Sequence, residues 1–123
     1  MNKDMNRHIV TSFDDELKEI SARISEMGGL AEEQLGRALE AVSKRDSQMA
    51  SEVIVNDLRI DAMEVKLEEM TIQTLALRQP MASDLREIVA ALKIASALER
   101  IGDLGKNIAK RARYLNVARR RFT

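Results

Sequence analysis

Cysteine is absent from this sequence, which excludes disulfides and thiolate metal ligands. Aromatic residues make up 2%, so the core has to be built from Leu, Ile, Val, Met and Ala. One proline and five glycines leave few places to turn. Histidine occurs once, as His8 in a polar start, so a Ser/His/Asp set has no plausible base and the Glu-x-x-His motif of di-iron bundles is missing. There is no Gly-rich phosphate loop. No run of roughly 18 apolar residues exists to form a transmembrane helix, and Met1-Asn2-Lys3-Asp4 lacks the apolar core of a signal peptide. What remains is 45% hydrophobic and 33% charged residues, the composition of long amphipathic helices in one domain.

The net charge of zero conceals an asymmetry. All 20 acidic residues lie at or before Asp103, together with 13 basic ones, whereas Lys106, Lys110, Arg111, Arg113, Arg119, Arg120 and Arg121 follow with no acid among them. A helix dipole favours cations in a final turn but does not account for seven of them. The segment suits contact with another part of a longer protein or with a partner. Contact with phosphate or nucleic acid is the other option, but a single tyrosine, Tyr114, and no interleaved aromatics argue against specific nucleic-acid binding.

Residues 1–11 are polar and expected to be loose. Ser12 and Asp15 resemble a capping box, after which Leu17, Ile20, Ile24, Met27, Ala31, Leu35, Ala38 and Val42 recur at spacings of three and four. They predict a helix over roughly 13–44. Gly28-Gly29 in its middle is expected to mark the close approach of another helix or a local bend. Lys44-Arg45-Asp46-Ser47 is the first turn, with Asp46 or Ser47 as cap. A second helix to about Arg78 carries Ile60, Met63, Leu67, Met70, Thr74 and Leu77, with Ile54, Leu58, Val65, Ile72 and Leu75 widening its apolar face. Pro80 ends it and either Pro80 or Ser83 opens the third, whose apolar residues run from Leu85 to Ile108 and which extends to about Val117. The fold class is all-α: an up-down-up three-helix bundle of long antiparallel helices over residues 12–118, followed by a basic tail at 119–123.

Chemistry is concentrated in the acids. Asp57, Asp61, Glu64 and Glu68 form one stripe on the second helix, and Glu99 and Asp103 are four apart on the third. In an antiparallel hairpin turning near Pro80, Asp61 stands level with Glu99, and Asp57 with Asp103. Partly buried carboxylates must be protonated, paired with a base such as Arg59, Arg86, Arg100 or Lys106, or bound to a hard cation. Spacing alone leaves these options open.

Three segments, taken together and in order, resemble the PhoU family of phosphate-signalling regulators: Met27-Gly28-Gly29-Leu30, then Arg78-Gln79-Pro80-Met81-Ala82-Ser83-Asp84-Leu85-Arg86, then Leu98-Glu99-Arg100-Ile101-Gly102-Asp103. The likeness runs from about residue 7 to 113. It implies a cytoplasmic, non-enzymatic protein that couples the phosphate ABC transporter ATPase to a sensor histidine kinase and represses the phosphate-starvation response. It also implies metal bound on the E-x-x-x-D motif, here Glu99 and Asp103 with Asp57 and Asp61 from the second helix, the metal being Fe, Zn, Mn or Mg. Asp84, Arg86 and Arg100 match polar positions that serve partner contacts or the turn. Two departures stand out. Ala97 occupies a position where the family often has an acid. The chain also holds one of the family's two tandem repeats, as either a natural single-repeat form or a truncated product, and a lone repeat is expected to form a homodimer. The rival reading is a generic helical adaptor or oligomerisation bundle with no metal site.

Overall fold

The computed structural model describes the backbone of residues 2–78 and 81–122 and the side chains of residues 13–78 and 81–121. Three helices follow one another: α1 (Asn2–Lys44), α2 (Ser47–Arg78) and α3 (Ala82–Phe122). Each packs on both others, giving the antiparallel three-helix bundle expected from the periodicity.

The helix ends differ from the sequence expectation. α1 begins at Asn2 and runs straight through the supposed capping box, because nothing between Asn2 and Met27 is a glycine or proline and polarity alone does not stop a helix. The expected loose start at residues 1–11 is therefore helical from Asn2 onward. α3 likewise continues through Arg119, Arg120 and Arg121, so the basic tail is the last turns of a helix. α3 opens with the backbone carbonyl of Met81 accepting from Leu85 N–H at 2.9 Å, which makes Met81, not Ser83, its cap residue. Pro80 lies outside the described residues.

The first turn is tightly specified. Asp46 N–H donates to the Ala41 carbonyl at 2.9 Å and Arg45 N–H to the Val42 carbonyl at 3.3 Å, the paired bonds of a Schellman ending. Arg45 sits there with φ 55°, in the left-handed region that usually goes to glycine. Asp46 Oδ1 then accepts from Met49 N–H at 3.0 Å and caps α2.

Two apolar clusters fill the bundle. One gathers Ile20, Met27, Ala31, Ile60, Leu67, Ala91 and Ala95 near the α2–α3 turn. The other, near the α1–α2 turn, is almost all alanine: Ala38, Ala41, Ala50, Ala109 and Ala112 around Val53. Small side chains let the backbones approach there. Leu58, Val65 and Ile72, expected to widen the α2 core face, and Leu77, expected on its main stripe, are instead 54–73% exposed. They lie off the buried row Val53, Asp57, Ile60, Leu67, Thr71 and Thr74, beyond the arc that two neighbours cover.

A polar layer separates the clusters. Gln34, 1% exposed, donates from Nε2 to the Val53 carbonyl at 2.7 Å. Level with it, α3 presents Gly105 and Gly102. A Cβ on Gly105 would meet the Gln34 backbone at 3.5 Å, and one on Gly102 would meet Ile60 Cδ1 at 2.9 Å and Asp57 Oδ1 at 3.0 Å. These glycines are the close approaches, not Gly28-Gly29. Gly28 has an ordinary 3.9 Å neighbour in Leu98 Cδ1 and Gly29 has open space.

Candidate metal centre

The missing Cβ of Gly102 draws α3 onto α2 at the level of Asp57. Asp57 and Asp61, one turn apart on α2, then meet Asp103 of α3, and each of the three offers a carboxylate oxygen within 4.8 Å of the others. The pairing of Asp57 with Asp103 across the hairpin is the one expected from level counting. Asp57 is 1% exposed, and neither of its oxygens has a hydrogen-bond partner. Buried carboxylates are seldom left so.

One cation is near. Lys106 Nζ stands 3.3 Å from Asp57 Oδ2 and 3.4 Å from Asp103 Oδ1, close enough for an ion pair without the alignment of a hydrogen bond. Of the bases considered from the sequence, Arg59, Arg86 and Arg100 are exposed and make no ion pair among the described residues. Burial pushes the Asp57 carboxyl above its usual range; Lys106 opposes this, while Asp61 and Asp103 add to it. Glu99 does not join the group of three. It is half-buried one turn from Asp103, and its carboxyl is pushed up by burial first, then by the charge of Asp103 and contact with it. Glu64 is pushed up by burial and by Glu68, Asp61 and Asp103 in turn. Acid density thus continues along α2 beyond the three that converge.

These donors fit a hard cation. All are carboxylate oxygens, they come from two helices, and the innermost has unsatisfied lone pairs. Asp57, Asp61 and Asp103 would hold the ion, with Glu99 as the adjacent carboxylate. Asp84 is placed elsewhere, half-buried in the first turn of α3, where the helix dipole favours an acid. Sequence reading missed Gly102 and Gly105 as the residues that bring the helices together. The signal was present as a run of small residues on one α3 face: Ala95, Gly102, Gly105, Ala109 and Ala112.

The fold and the site define a class: a three-helix bundle of long helices with an acidic cluster between two of them, its innermost member Asp57 buried. Residues 24–112 match the PhoU domain family. The chain is 52% identical over 104 residues to a phosphate-specific transport system accessory protein PhoU homolog of Rhizobium meliloti, covering 85% of this chain and 44% of that protein. It is 45% identical over 114 residues to a homolog of the same name from Caulobacter vibrioides, covering 93% and 50%. The crystal structure of PhoU from Pseudomonas aeruginosa superposes with a TM-score of 0.84 at 40% identity, over 86% of this chain and 51% of that one. The chain belongs to the PhoU family, and it spans about half the length of the curated relatives it matches.

Proposed function

We propose that this chain is a regulatory component of phosphate uptake: a non-enzymatic, metal-binding helical scaffold that contacts the phosphate ABC transporter ATPase and a sensor histidine kinase in the cytoplasm. The relatives' names as accessory proteins of phosphate-specific transport support the transport role. The observation that carries the metal reading is Asp57, a buried carboxylate with two unpartnered oxygens at the focus of Asp61 and Asp103. Such a site gains most from a divalent ion, which would supply the missing charge and join α2 to α3. No described helix is long and apolar enough to cross a membrane.

Exposed apolar rows support an assembly. On α2, Leu58, Val65 and Ile72 repeat every seven residues, with Val55 three residues before them, and all four are 54–68% exposed. On α3, Ile94, Ile101, Leu104 and Leu115 form another row, 36–52% exposed. Rows of this extent on a single-bundle protein mark an interface. We place a second bundle of this kind on these rows, since the relatives are about twice as long as the segment matched here, and a homodimer would supply one.

A second reading, a helical adaptor without metal, is favoured by Lys106, which already neutralises part of the cluster. Elemental analysis of the purified protein with its mass in solution separates the two readings. Metal at stoichiometric level in a dimer supports the first, and a metal-free protein with a melting temperature indifferent to Mn, Fe or Zn supports the second. The regulatory role is tested by deletion in the host: phosphate-starvation genes should become active at ample phosphate. Normal repression would overturn it.

A further inference from the structure

We infer that Lys106 is a tethered competitor for the metal site, a resident ammonium that a divalent ion must displace in order to bind. This rests on the metal reading of Asp57, Asp61 and Asp103 and adds how the site is regulated.

Lys106 Nζ contacts Asp57 Oδ2 and Asp103 Oδ1, one oxygen from each helix, at 3.3 and 3.4 Å. A cation ligated by the same two carboxylates sits about 2.0–2.6 Å from their oxygens. It would then stand within a few ångströms of the ammonium, in a layer where Asp57 is sealed from water. Two like charges a few ångströms apart repel, and here both would draw on the same oxygens of Asp57 and Asp103. They compete for the site.

The lysine can leave. Its side chain is 28% exposed, so part of it already meets solvent. A flexible four-carbon stem with a compact charge rotates out easily. Departure has a consequence for Asp57. Without Lys106 or a metal its oxygens face only Asp61 and Asp103 nearby, and Asp57 already lacks hydrogen-bond partners. The site is therefore never favourably empty. It exchanges one cation for another, and the internal one sets the concentration of metal needed.

The proposal is tested with Mn²⁺ on chelator-treated full chain by titration calorimetry. Lys106→Met should bind Mn²⁺ about tenfold or more tighter than the parent, the effect of removing one like charge at close range. Lys106→Arg, which retains the charge, should bind no tighter than the parent. If Lys106→Met binds Mn²⁺ equally well or more weakly while the parent binds it, the competition is refuted and the metal site stands. If neither protein binds Mn²⁺, both the competition and the metal reading fall. A second measurement needs no variant. Acetylation of lysines in the folded parent, read by mass spectrometry, should modify Lys106 severalfold faster once Mn²⁺ is added, with Lys110 unchanged as the internal control. A rate at Lys106 that is unaltered or slowed by Mn²⁺ refutes displacement, even if Lys106→Met fails to fold.

Discussion

Gly102 on α3 lies against Asp57 on α2 so closely that a methyl group on it would stand 3.0 Å from the carboxylate oxygen. The same methyl would press on Ile60 Cδ1 at 2.9 Å, and Ile60 is fully buried. Alanine at this helical position gains about 1 kcal/mol in propensity, but overpacking of a filled interior costs about 1–3 kcal/mol. Gly102→Ala should therefore lower stability by roughly 1 kcal/mol net and weaken Mn²⁺ binding by spreading Asp57 from Asp103. Gly29→Ala is the control. Nothing lies within 4 Å of that site and it is exposed, so the change should stabilise by about 1 kcal/mol. Urea unfolding of the two variants gives opposite signs if Gly102 is the close approach.

The comparison of these glycines shows where the sequence was legible. Helix number, direction and the levels of Asp57 and Asp103 follow from apolar spacing and one hairpin, because counting residues along two rods fixes which side chains meet. Which glycine serves a contact does not follow from one chain's sequence. Gly28-Gly29 and Gly102 both interrupt good helices, and only the rotational setting of α3 decides which faces a neighbour. The same blindness put Leu58, Val65 and Ile72 in the core. Their spacing is apolar and helical, but a helix with two neighbours buries a narrower arc than α2 offers. The same setting decides how the four acids meet: Asp57, Asp61 and Asp103 come together, while Glu99 lies on the expected helix beside Asp103 but outside that group.

Arg45 carries the sharpest backbone cost in the bundle. Its φ of 55° closes the Schellman ending of α1, and a residue with a Cβ pays about 1–2 kcal/mol for that conformation. The Arg45 side chain is exposed. Glycine relieves the strain but adds freedom to the unfolded chain, which returns part of the gain. Arg45→Gly should raise stability by about 0.5–1 kcal/mol in urea unfolding, with no change in Mn²⁺ affinity, since the turn lies at the far end of the Ala-rich cluster.

The pH dependence of stability without metal should run against the usual acid loss. Asp57, Glu64 and Glu99 are all raised above their ordinary values, with burial the largest cause in each. A raised carboxyl binds its proton more tightly in the folded state. Its contribution to stability is then complete below the unfolded value and is lost as pH rises through the folded one. Glu16 has the opposite sign: the Arg78 guanidinium donates to it at 2.9 Å and holds it below the ordinary range, so its contribution is lost as pH falls through the depressed value. Three raised groups outweigh one half-buried pair. The melting temperature of chelator-treated protein should climb as pH is lowered through the raised carboxyl range and fall only under stronger acid. With Mn²⁺ present the slope should reverse, because the ion binds ionised carboxylates and protons then compete with it. Thermal melts by circular dichroism across this range, with and without Mn²⁺, check both halves.

Asp57→Asn isolates the buried charge itself. The amide is nearly isosteric, so packing against Ile60 and Gly102 is kept while the charge beside Asp61 and Asp103 disappears. Lys106 loses one ion-pair partner but retains Asp103 and its path to water. A buried polar group without partners remains, which costs less than a buried charge in the same place. In the absence of metal the variant should be more stable at neutral pH by about 1 kcal/mol, and most of the gain on acidification should vanish with the carboxyl. Added Mn²⁺ should raise the melting temperature of the parent and leave that of the variant unchanged, because the central ligand is gone. A variant that is both less stable without metal and still stabilised by Mn²⁺ would mean that Asp57 is a structural acid satisfied by Lys106, and that any bound ion is held elsewhere.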